Sequence, residues 1–201
     1  MKLKLLLFSC IVWFQLGLSQ EIYFHIGNNF TTYDYKNSLR NSNGNIKSIS
    51  GSAYELGYSH SFKNKFTYSG SLVWDQYNAK GSNGVSLYAW NTNYLGIQNT
   101  ISYVVLKTRS ELEINLKAGV ATSFIAKGQQ LLNNRYYDLT QYEEFKGLVI
   151  QPLIGMQVKY LVNDYFGVNL NYIFSKSLPK SGLESLSFNT NQVQLGFYFP
   201  L

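Results

Sequence analysis

The C-terminal residues alternate between apolar and polar side chains with a period of two, and this pattern constrains the fold most. The polar phase consists of Gln192, Gln194 and Gly196. The apolar phase consists of Val193, Leu195, Phe197, Phe199 and Leu201. Successive side chains of a β-strand point to opposite faces, so the pattern predicts a strand with one apolar and one polar face. An apolar outer face and a polar inner face are typical of a strand in a transmembrane β-barrel.

Seven further segments alternate in the same way. Each approaches or exceeds the ~9–11 residues that a membrane-spanning β-strand needs. We therefore predict an all-β fold, an eight-stranded antiparallel up-and-down transmembrane β-barrel. A water-soluble lipocalin-like barrel is the alternative, and it would turn the apolar phase inward. The seven segments are 22–30, 53–62, 66–77, 95–103, 112–124, 148–160 and 166–174.

Glycines and aromatic residues favour the membrane barrel over the soluble one. Apolar faces often begin and end with aromatic residues eight positions apart, as in Phe66 and Trp74 or Phe166 and Phe174. With ~3.3 Å per residue and a tilt of ~40°, that spacing corresponds to roughly 20 Å, close to the separation of two aromatic girdles. Small residues on the polar face suit a narrow lumen. The glycines of this phase are Gly27, Gly57, Gly96, Gly119, Gly155, Gly167 and Gly196.

The N-terminus has the features of a secretory signal peptide. Lys2 and Lys4 precede an apolar run of about ten residues, and small residues follow it. We predict cleavage after Ser19, with residues 1–19 as the signal peptide and 20–201 as one outer-membrane β-barrel domain. Cys10, the single cysteine of the sequence, lies in this leader. The mature chain would then have neither a disulfide nor a thiol nucleophile.

The connections between the segments alternate in length. Short turns are expected near 63–65, 106–110 and 163–164, and longer polar loops at 31–50, 78–91, 126–145 and 176–186. Short turns on one side and long loops on the other are typical of outer-membrane barrels. We expect the protein in the cell outer membrane, with both termini periplasmic.

The sequence resembles two known patterns. Gln194, Gly196, Phe199 and Leu201 resemble the C-terminal insertion signal of bacterial outer-membrane barrels, which implies recognition by the barrel insertion machinery. Residues 20–201 resemble the small outer-membrane β-barrel family of Bacteroidota that includes PorT-like proteins. That resemblance implies an eight-stranded barrel with a plugged interior, and it identifies a fold rather than an activity. It is carried by residues 93–97, 116–119, 154–160 and 193–196.

Five charged residues fall in the inward phase. One hypothesis is a proton or ion path, or a catalytic cluster. The other is an ion-pair network that fills the lumen, and it is favoured because eight-stranded barrels are packed with side chains. The five residues are Glu55, Asp75, Glu113, Lys117 and Lys159.

The two histidines give little support to an enzyme or a metal site. His25 is in the inward phase, and His60 is in the outward phase near a predicted turn. Neither is placed with a serine and an acid at the outer rim, and two isolated histidines do not form a metal site. We expect no catalytic, metal or cofactor site.

The net charge and the predicted export of the protein limit the classes of partner that it can have. The chain has a net charge of +6, which suits an anionic membrane surface, and nucleic acid is excluded by export. Expected partners are outer-membrane lipid and lipopolysaccharide, and one hypothesis is a structural or accessory subunit of a secretion or protein-insertion assembly. Gly70 and Asn99 interrupt the outward apolar face and favour this hypothesis. The alternative is a surface barrel whose loops bind glycolipid, environmental or host ligands. The loop cations are Lys36, Arg40, Lys47, Lys80, Lys127, Arg135 and Lys180.

The C-terminal pattern generates a first prediction, on biogenesis. Changing both Phe199 and Leu201 to Ser should sharply lower the amount of folded barrel in the outer membrane and leave periplasmic degradation products. The measurement is the heat-modifiable band on a gel of membrane fractions. As a control, the same change at Leu112 and Leu116 should act through stability, since polar groups on the lipid face carry a depth-dependent cost. Wild-type levels of the folded terminal variant would contradict the prediction.

Overall fold

The computed structural model describes residues 20–36, 46–63, 65–82, 87–142, 145–179 and 185–201. The predicted signal peptide, residues 1–19, lies outside the described residues. Among the described residues, no helix has the length and apolar composition required to cross a membrane. The elements are β1 (Gln20–Lys36), β2 (Ile46–Lys63), β3 (Phe66–Ser82), β4 (Leu87–Lys107), β5 (Leu112–Leu132), β6 (Arg135–Asp138), the 3-10 helix η1 (Leu139–Gln141), β7 (Leu148–Asn163), β8 (Phe166–Lys176) and β9 (Ser185–Pro200).

Eight of the strands form a closed antiparallel ring. The order around the ring is β4, β3, β2, β1, β9, β8, β7, β5, and β5 pairs again with β4. The predicted eight-stranded barrel is thus confirmed. The short strand β6 stands outside the ring and pairs only with the end of β5. It forms a small hairpin that continues into η1.

The first and last strands of the ring close it. β1 and β9 pair from Glu21 opposite Pro200 to Lys36 opposite Ser185. Pro200 has no N–H, but the Leu201 N–H donates to the Gln20 carbonyl at 2.9 Å and continues the ladder. Closure matters because lipid offers no partner to a free strand edge.

Strands β1 and β9 also approach each other closely. A Cβ added at Gly27 would lie 2.0 Å from the backbone oxygen of Val193, which cannot move aside. A Cβ at Gly196 would lie 2.0 Å from the His25 ring. The glycines of the inward phase therefore allow the tight curvature of a small barrel.

The apolar phase faces outward in the part of the barrel that holds the aromatic girdles. Leu72, Ile97 and Leu170 are 58%, 52% and 52% exposed, whereas the polar neighbours Ser71 and Asn171 are buried. This is the orientation expected for a lipid-facing barrel, and it excludes the soluble alternative for this part.

Beyond the girdle at the end away from the termini, the pattern reverses. Tyr77 of β3 and Phe188 of β9 are buried inside, whereas Gln76, Asn78 and Asn189 face outward. The inner residues form the aromatic cluster, to which η1 contributes Leu139. Apolar residues inside and polar residues outside are typical of a barrel that stands in water. The aromatic cluster consists of Tyr33, Ile46, Tyr77, Ala79, Tyr94, Leu139, Phe145, Val149, Leu186 and Phe188.

The predicted long loops are therefore shorter than expected. β1 continues to Lys36, β3 to Ser82 and β5 to Leu132, inside ranges that were expected to be loops. The reason is that the reversed phase breaks the apolar-outward pattern on which the strand prediction relied. At the other end, short turns join β2 to β3, β4 to β5 and β7 to β8, close to the positions predicted.

Candidate functional site

A buried carboxylate organises the interior of the barrel. Glu55 of β2 is 1% exposed, and its Oε1 accepts hydrogen bonds from Tyr23 Oη at 3.0 Å, Ser71 Oγ at 2.8 Å and Gln98 Nε2 at 3.0 Å. Its Oε2 lies 2.8 Å from His25 Nδ1. These five residues, which we call the Glu55 cluster, come from β1, β2, β3 and β4. One carboxylate thus ties four neighbouring strands together.

His25 extends the cluster along the inner wall to β8. Its ring stacks on that of Tyr23 with 4.7 Å between the centroids. Asn171 Nδ2 of β8 lies 3.1 Å from His25 Nε2 and 3.3 Å from Asn169 Oδ1. Only β9 lies between β1 and β8, and this contact passes over Gly196 of β9 on the inner wall. The lumen at this level is therefore filled by side chains.

Asp75 lies at the inner edge of the aromatic cluster. It is 7% exposed and accepts hydrogen bonds from Gln192 Nε2 at 2.9 Å and Tyr77 Oη at 3.2 Å. The Tyr77 hydroxyl also lies 3.3 Å from Gln151 Oε1. Its ring packs against Phe188 with 4.8 Å between centroids. Polar and aromatic layers therefore adjoin without an open passage between them.

A small cavity lies nearer the end that carries the termini. Its volume is about 20 Å³, enough for about one water molecule, and its lining includes Glu21, Glu113, Lys117 and Lys159. Lys159 Nζ lies 2.7 Å from both carboxylate oxygens of Glu21 and 4.2 Å from the centroid of the Tyr198 ring. The cavity is too small for a substrate or a hydrated ion path.

Glu113 and Lys117, the other two charged residues that line this cavity, differ in the partners that their charges have. Glu113 accepts a hydrogen bond from Asn115 Nδ2 at 2.8 Å and lies 3.7 Å from Lys107, which is mostly exposed. Lys117 is 4% exposed, and no hydrogen bond or ion pair involves its ammonium in the part of the chain that the structure describes. It borders the cavity with Glu113 and Lys159.

All five charged residues expected inside the barrel lie there, but they do not pair with one another directly. Among the described residues, ion pairs join Lys159 to Glu21 and Glu113 to Lys107, and Glu55 forms a hydrogen bond with His25. Glu113 and Lys159 are register partners on β5 and β7, yet the Lys159 ammonium reaches Glu21 instead. Glu21 is a member of the network that was not predicted from the sequence. Its inward phase with Tyr23 and His25 was the available signal.

The insertion-signal residues are placed on the faces that the alternation predicts. Gln194 is buried inside the barrel and Gly196 packs against the His25 ring. Phe199 and Leu201 face outward and are 47% and 71% exposed. Whether the insertion machinery recognises them remains a prediction.

The interior contains the residue types of a hydrolytic triad in an unsuitable order. Ser71 and His25 both contact Glu55, so the acid lies between them and the serine has no contact with the imidazole. A histidine base must reach the nucleophile to activate it. All three are buried, and no group of three His, Cys, Asp or Glu among the described residues could hold a metal ion. The cluster is suited to joining strands.

Two Tyr–Asn pairs interrupt the outward face. The Tyr68 hydroxyl donates to Asn99 Oδ1 across β3 and β4. The Tyr172 hydroxyl donates to Asn191 Oδ1 at 2.7 Å across β8 and β9. Gly70 is the register partner of Asn99, whereas Asn191 lies between the register partners Phe30 and Phe174. The first pair therefore borders a gap in the side-chain layer, and the second does not.

The fold is similar to solved outer-membrane barrels. Neisserial surface protein A (NspA) matches with a TM-score of 0.53 and 12% identity over 89% of this chain and 96% of that protein. The outer membrane protease OmpT from Escherichia coli matches with a TM-score of 0.53 and 6% identity over 93% of this chain and 99% of that protein. At these identities the likeness shows the fold alone. No protein-family model and no curated protein matches the sequence, so membership in the PorT-like family stays a prediction.

The Glu55 cluster generates a prediction on stability. Glu55→Ala should lower the free energy of unfolding by about 3–5 kcal/mol, because it leaves several buried groups without their shared acceptor. The control Glu113→Ala should cost about 1 kcal/mol or less, because its partner Lys107 is largely exposed. The measurement is urea-induced unfolding of the protein in lipid vesicles. Equal losses in the two variants would show that the cluster has no special role.

Proposed function

We propose that this protein is a non-enzymatic barrel of the cell outer membrane and a structural or accessory subunit of an outer-membrane assembly, such as a secretion or protein-insertion machine. The termini lie on the periplasmic side and the extended hairpins outside, in keeping with the short turns beside the termini. A filled interior supports this role, because a barrel without a passage or an accessible catalytic group acts through its outer surface. The order of Ser71, Glu55 and His25 supports non-enzymatic status.

The observation that carries the proposal is a polar amide in the middle of the lipid-facing surface. Asn99 is in register with Gly70, which lies four residues from both Phe66 and Trp74, the girdle residues of β3. The Asn99 oxygen accepts from Tyr68, but its amide nitrogen donates to no group in the described part of the chain. An amide without a partner in hydrocarbon is costly, so this position favours contact with another protein.

Small residues next to Asn99 allow close approach. A Cβ added at Gly70 would have its nearest neighbour 3.5 Å away, so the backbone there is open to the membrane. Ala118 of β5 is in register with Ile101, the next outward residue of β4. Small residues beside a hydrogen-bonding side chain are the features of protein contacts within membranes. The occupant we propose is a membrane-spanning segment of another protein that presents a hydrogen-bond acceptor to Asn99.

The barrel insertion machinery and lipopolysaccharide are partners in the same proposal. The second candidate function is a surface barrel that binds glycolipid through its hairpins. It is favoured by a separate observation, the cationic outer ends of β2 and β3, where Lys47 lies opposite Lys80.

The packed interior predicts that the protein does not conduct ions. The purified wild-type protein in planar bilayers should give no stable open-channel currents, because the Glu55 cluster and the aromatic cluster both fill the lumen. A known porin serves as the positive control for insertion. Stable unitary currents that survive repurification, and whose ion selectivity changes in Lys117→Glu, would contradict a closed lumen.

The Asn99 site predicts a partner that depends on one side chain. Tagged wild-type, Asn99→Leu and Asn191→Leu proteins are purified from native membranes in mild detergent, and co-purifying proteins are quantified by mass spectrometry. The amount of at least one co-purifying membrane protein should be about 5-fold or more lower with Asn99→Leu than with wild type, and unchanged with Asn191→Leu. The reason is that a hydrogen bond in the membrane contributes about 1 kcal/mol. Asn191→Leu is the matched control, because it removes the same Tyr–Asn pair without the neighbouring gap.

Two outcomes would contradict the proposal. Identical sets of proteins in all three samples would mean that no partner uses this face. Equal losses in both variants would show a general effect on folding, which the heat-modifiable band would also reveal.

A further inference from the structure

Two lysines face each other at the outer ends of β2 and β3. Lys47 and Lys80 are register partners, and both are exposed. Like charges directly opposite each other on antiparallel strands lie about 5 Å apart at Cβ and destabilise the pair. No ion pair involves either lysine among the residues that the structure describes. The sheet thus holds two cations together without an internal counter-ion.

The sequence around the two lysines supplies no acid to neutralise them. Residues 35–54 and 76–100 contain no Asp or Glu. Asp34 is the nearest acid in sequence. It lies on β1, the strand next to β2, and no ion pair joins it to Lys47 or Lys80 among the described residues. An anion from outside the protein would therefore be electrostatically favourable at this position.

The hairpin formed by β5 and β6 has a different charge pattern. It combines Lys127 and Arg135 with Asp138. Hydrogen bonds from the side chain and the backbone N–H of Thr140 lower the pKa of Asp138, so this carboxylate stays charged at neutral pH. Its cations have an acid nearby, which makes them a suitable control for Lys47 and Lys80.

A groove adjoins the lysine pair. It has a volume of about 1000 Å³, and its lining includes Lys47, Lys80, Leu87, Ala89 and Leu131. Ala89 is the register partner of Lys80, and Leu131 is the register partner of Ala89, so lysine and apolar residues follow one another across the sheet. The volume is at the upper end of the range for small-molecule sites. A cationic end and an apolar floor suit a ligand with a phosphate and a bulky saccharide.

The height of the site identifies the layer of the membrane that it faces. Lys80 lies six residues beyond the girdle residue Trp74, in the part of the barrel where polar residues face outward. Six residues at ~3.3 Å and a tilt of ~40° give roughly 15 Å above the girdle. This height is beyond the ~5–8 Å interfacial layer of a phospholipid leaflet, where only a headgroup with an extended saccharide reaches. Lysine binds phosphate as a point charge, and two lysines can neutralise its two charges.

We propose that Lys47 and Lys80 form a binding site for the phosphorylated saccharide headgroup of an outer-leaflet glycolipid. The proposal rests on the orientation given under the proposed function, in which the hairpin end lies outside the cell. The phosphate lies between the two ammonium groups, and the saccharide rings pack on Leu87, Ala89 and Leu131.

The test uses the full mature chain in neutral phosphatidylcholine nanodiscs. Binding of lipopolysaccharide with a phosphorylated core is compared with binding of the same material after phosphatase treatment. The double variant K47Q/K80Q should bind the phosphorylated form at least 10-fold more weakly than wild type does. The control K127Q/R135Q should differ from wild type by less than 2-fold. The phosphatase-treated form should bind wild type as weakly as the phosphorylated form binds K47Q/K80Q.

Each other outcome overturns the proposal. Equal losses in the two double variants would mean general attraction by surface charge. Undiminished binding after phosphatase treatment would exclude phosphate as the recognised group. Competition by millimolar inorganic phosphate as strong as that by the glycolipid would indicate a site for free phosphate instead. The heat-modifiable band on a gel shows whether each variant is folded. Folding is expected because both lysines are exposed and glutamine preserves the strand.

A separate measurement tests the orientation. The mature chain has no cysteine, so Lys80→Cys gives one reactive thiol for a membrane-impermeant maleimide. Labelling of intact cells supports the proposed orientation. Labelling only after the envelope is broken would overturn that orientation, whereas the nanodisc experiment is independent of it and reports on the site alone.

Discussion

Every backbone N–H and C=O in the lipid-facing part of this chain must find its partner within the barrel, because hydrocarbon offers none. The pairing of β1 with β9 meets this requirement along the whole length of both strands. Closure with only eight strands leaves a narrow interior, so the inward phase must combine polar residues with glycines such as Gly27 and Gly196. The composition of the lumen is therefore a consequence of closure.

A narrow, polar interior must satisfy its own charges. Glu55 does so with hydrogen bonds to four side chains on three other strands, and Glu21 does so with Lys159. Breaking such a buried group leaves partners without compensation, whereas the ion pair of Glu113 contributes little because its partner Lys107 is largely exposed. The two classes of ion pair, though adjacent in the fold, differ in their importance for stability.

The sequence predicted the ring because its alternation is strong wherever lipid faces the strands. It did not predict the outer extensions, because there the apolar residues change sides: Tyr77 and Phe188 point inward while Gln76 and Asn78 point outward. A method that follows one apolar phase interprets this change as the end of a strand.

The partners inside the lumen were only partly predictable from the sequence. The phase of each charged residue follows from the alternation, so the inward position of Glu55 and Lys159 could be inferred. The choice between Glu21 and Glu113 as the partner of Lys159 depends on strand stagger and side-chain reach across the lumen, which no local pattern encodes.

Consistency between local pattern and global fold is the usual condition for a sequence that specifies one structure, and departures from it concentrate at functional sites. Most of this chain is consistent: apolar residues face lipid, and polar residues face water or the lumen. Asn99 departs from the rule because it places an amide at mid-membrane beside Gly70, where leucine would be more stable in lipid. Lys47 and Lys80 depart from it because they oppose like charges in an acid-free stretch. Both departures lie on the outside of a closed barrel, where a partner protein or a lipid headgroup can compensate them.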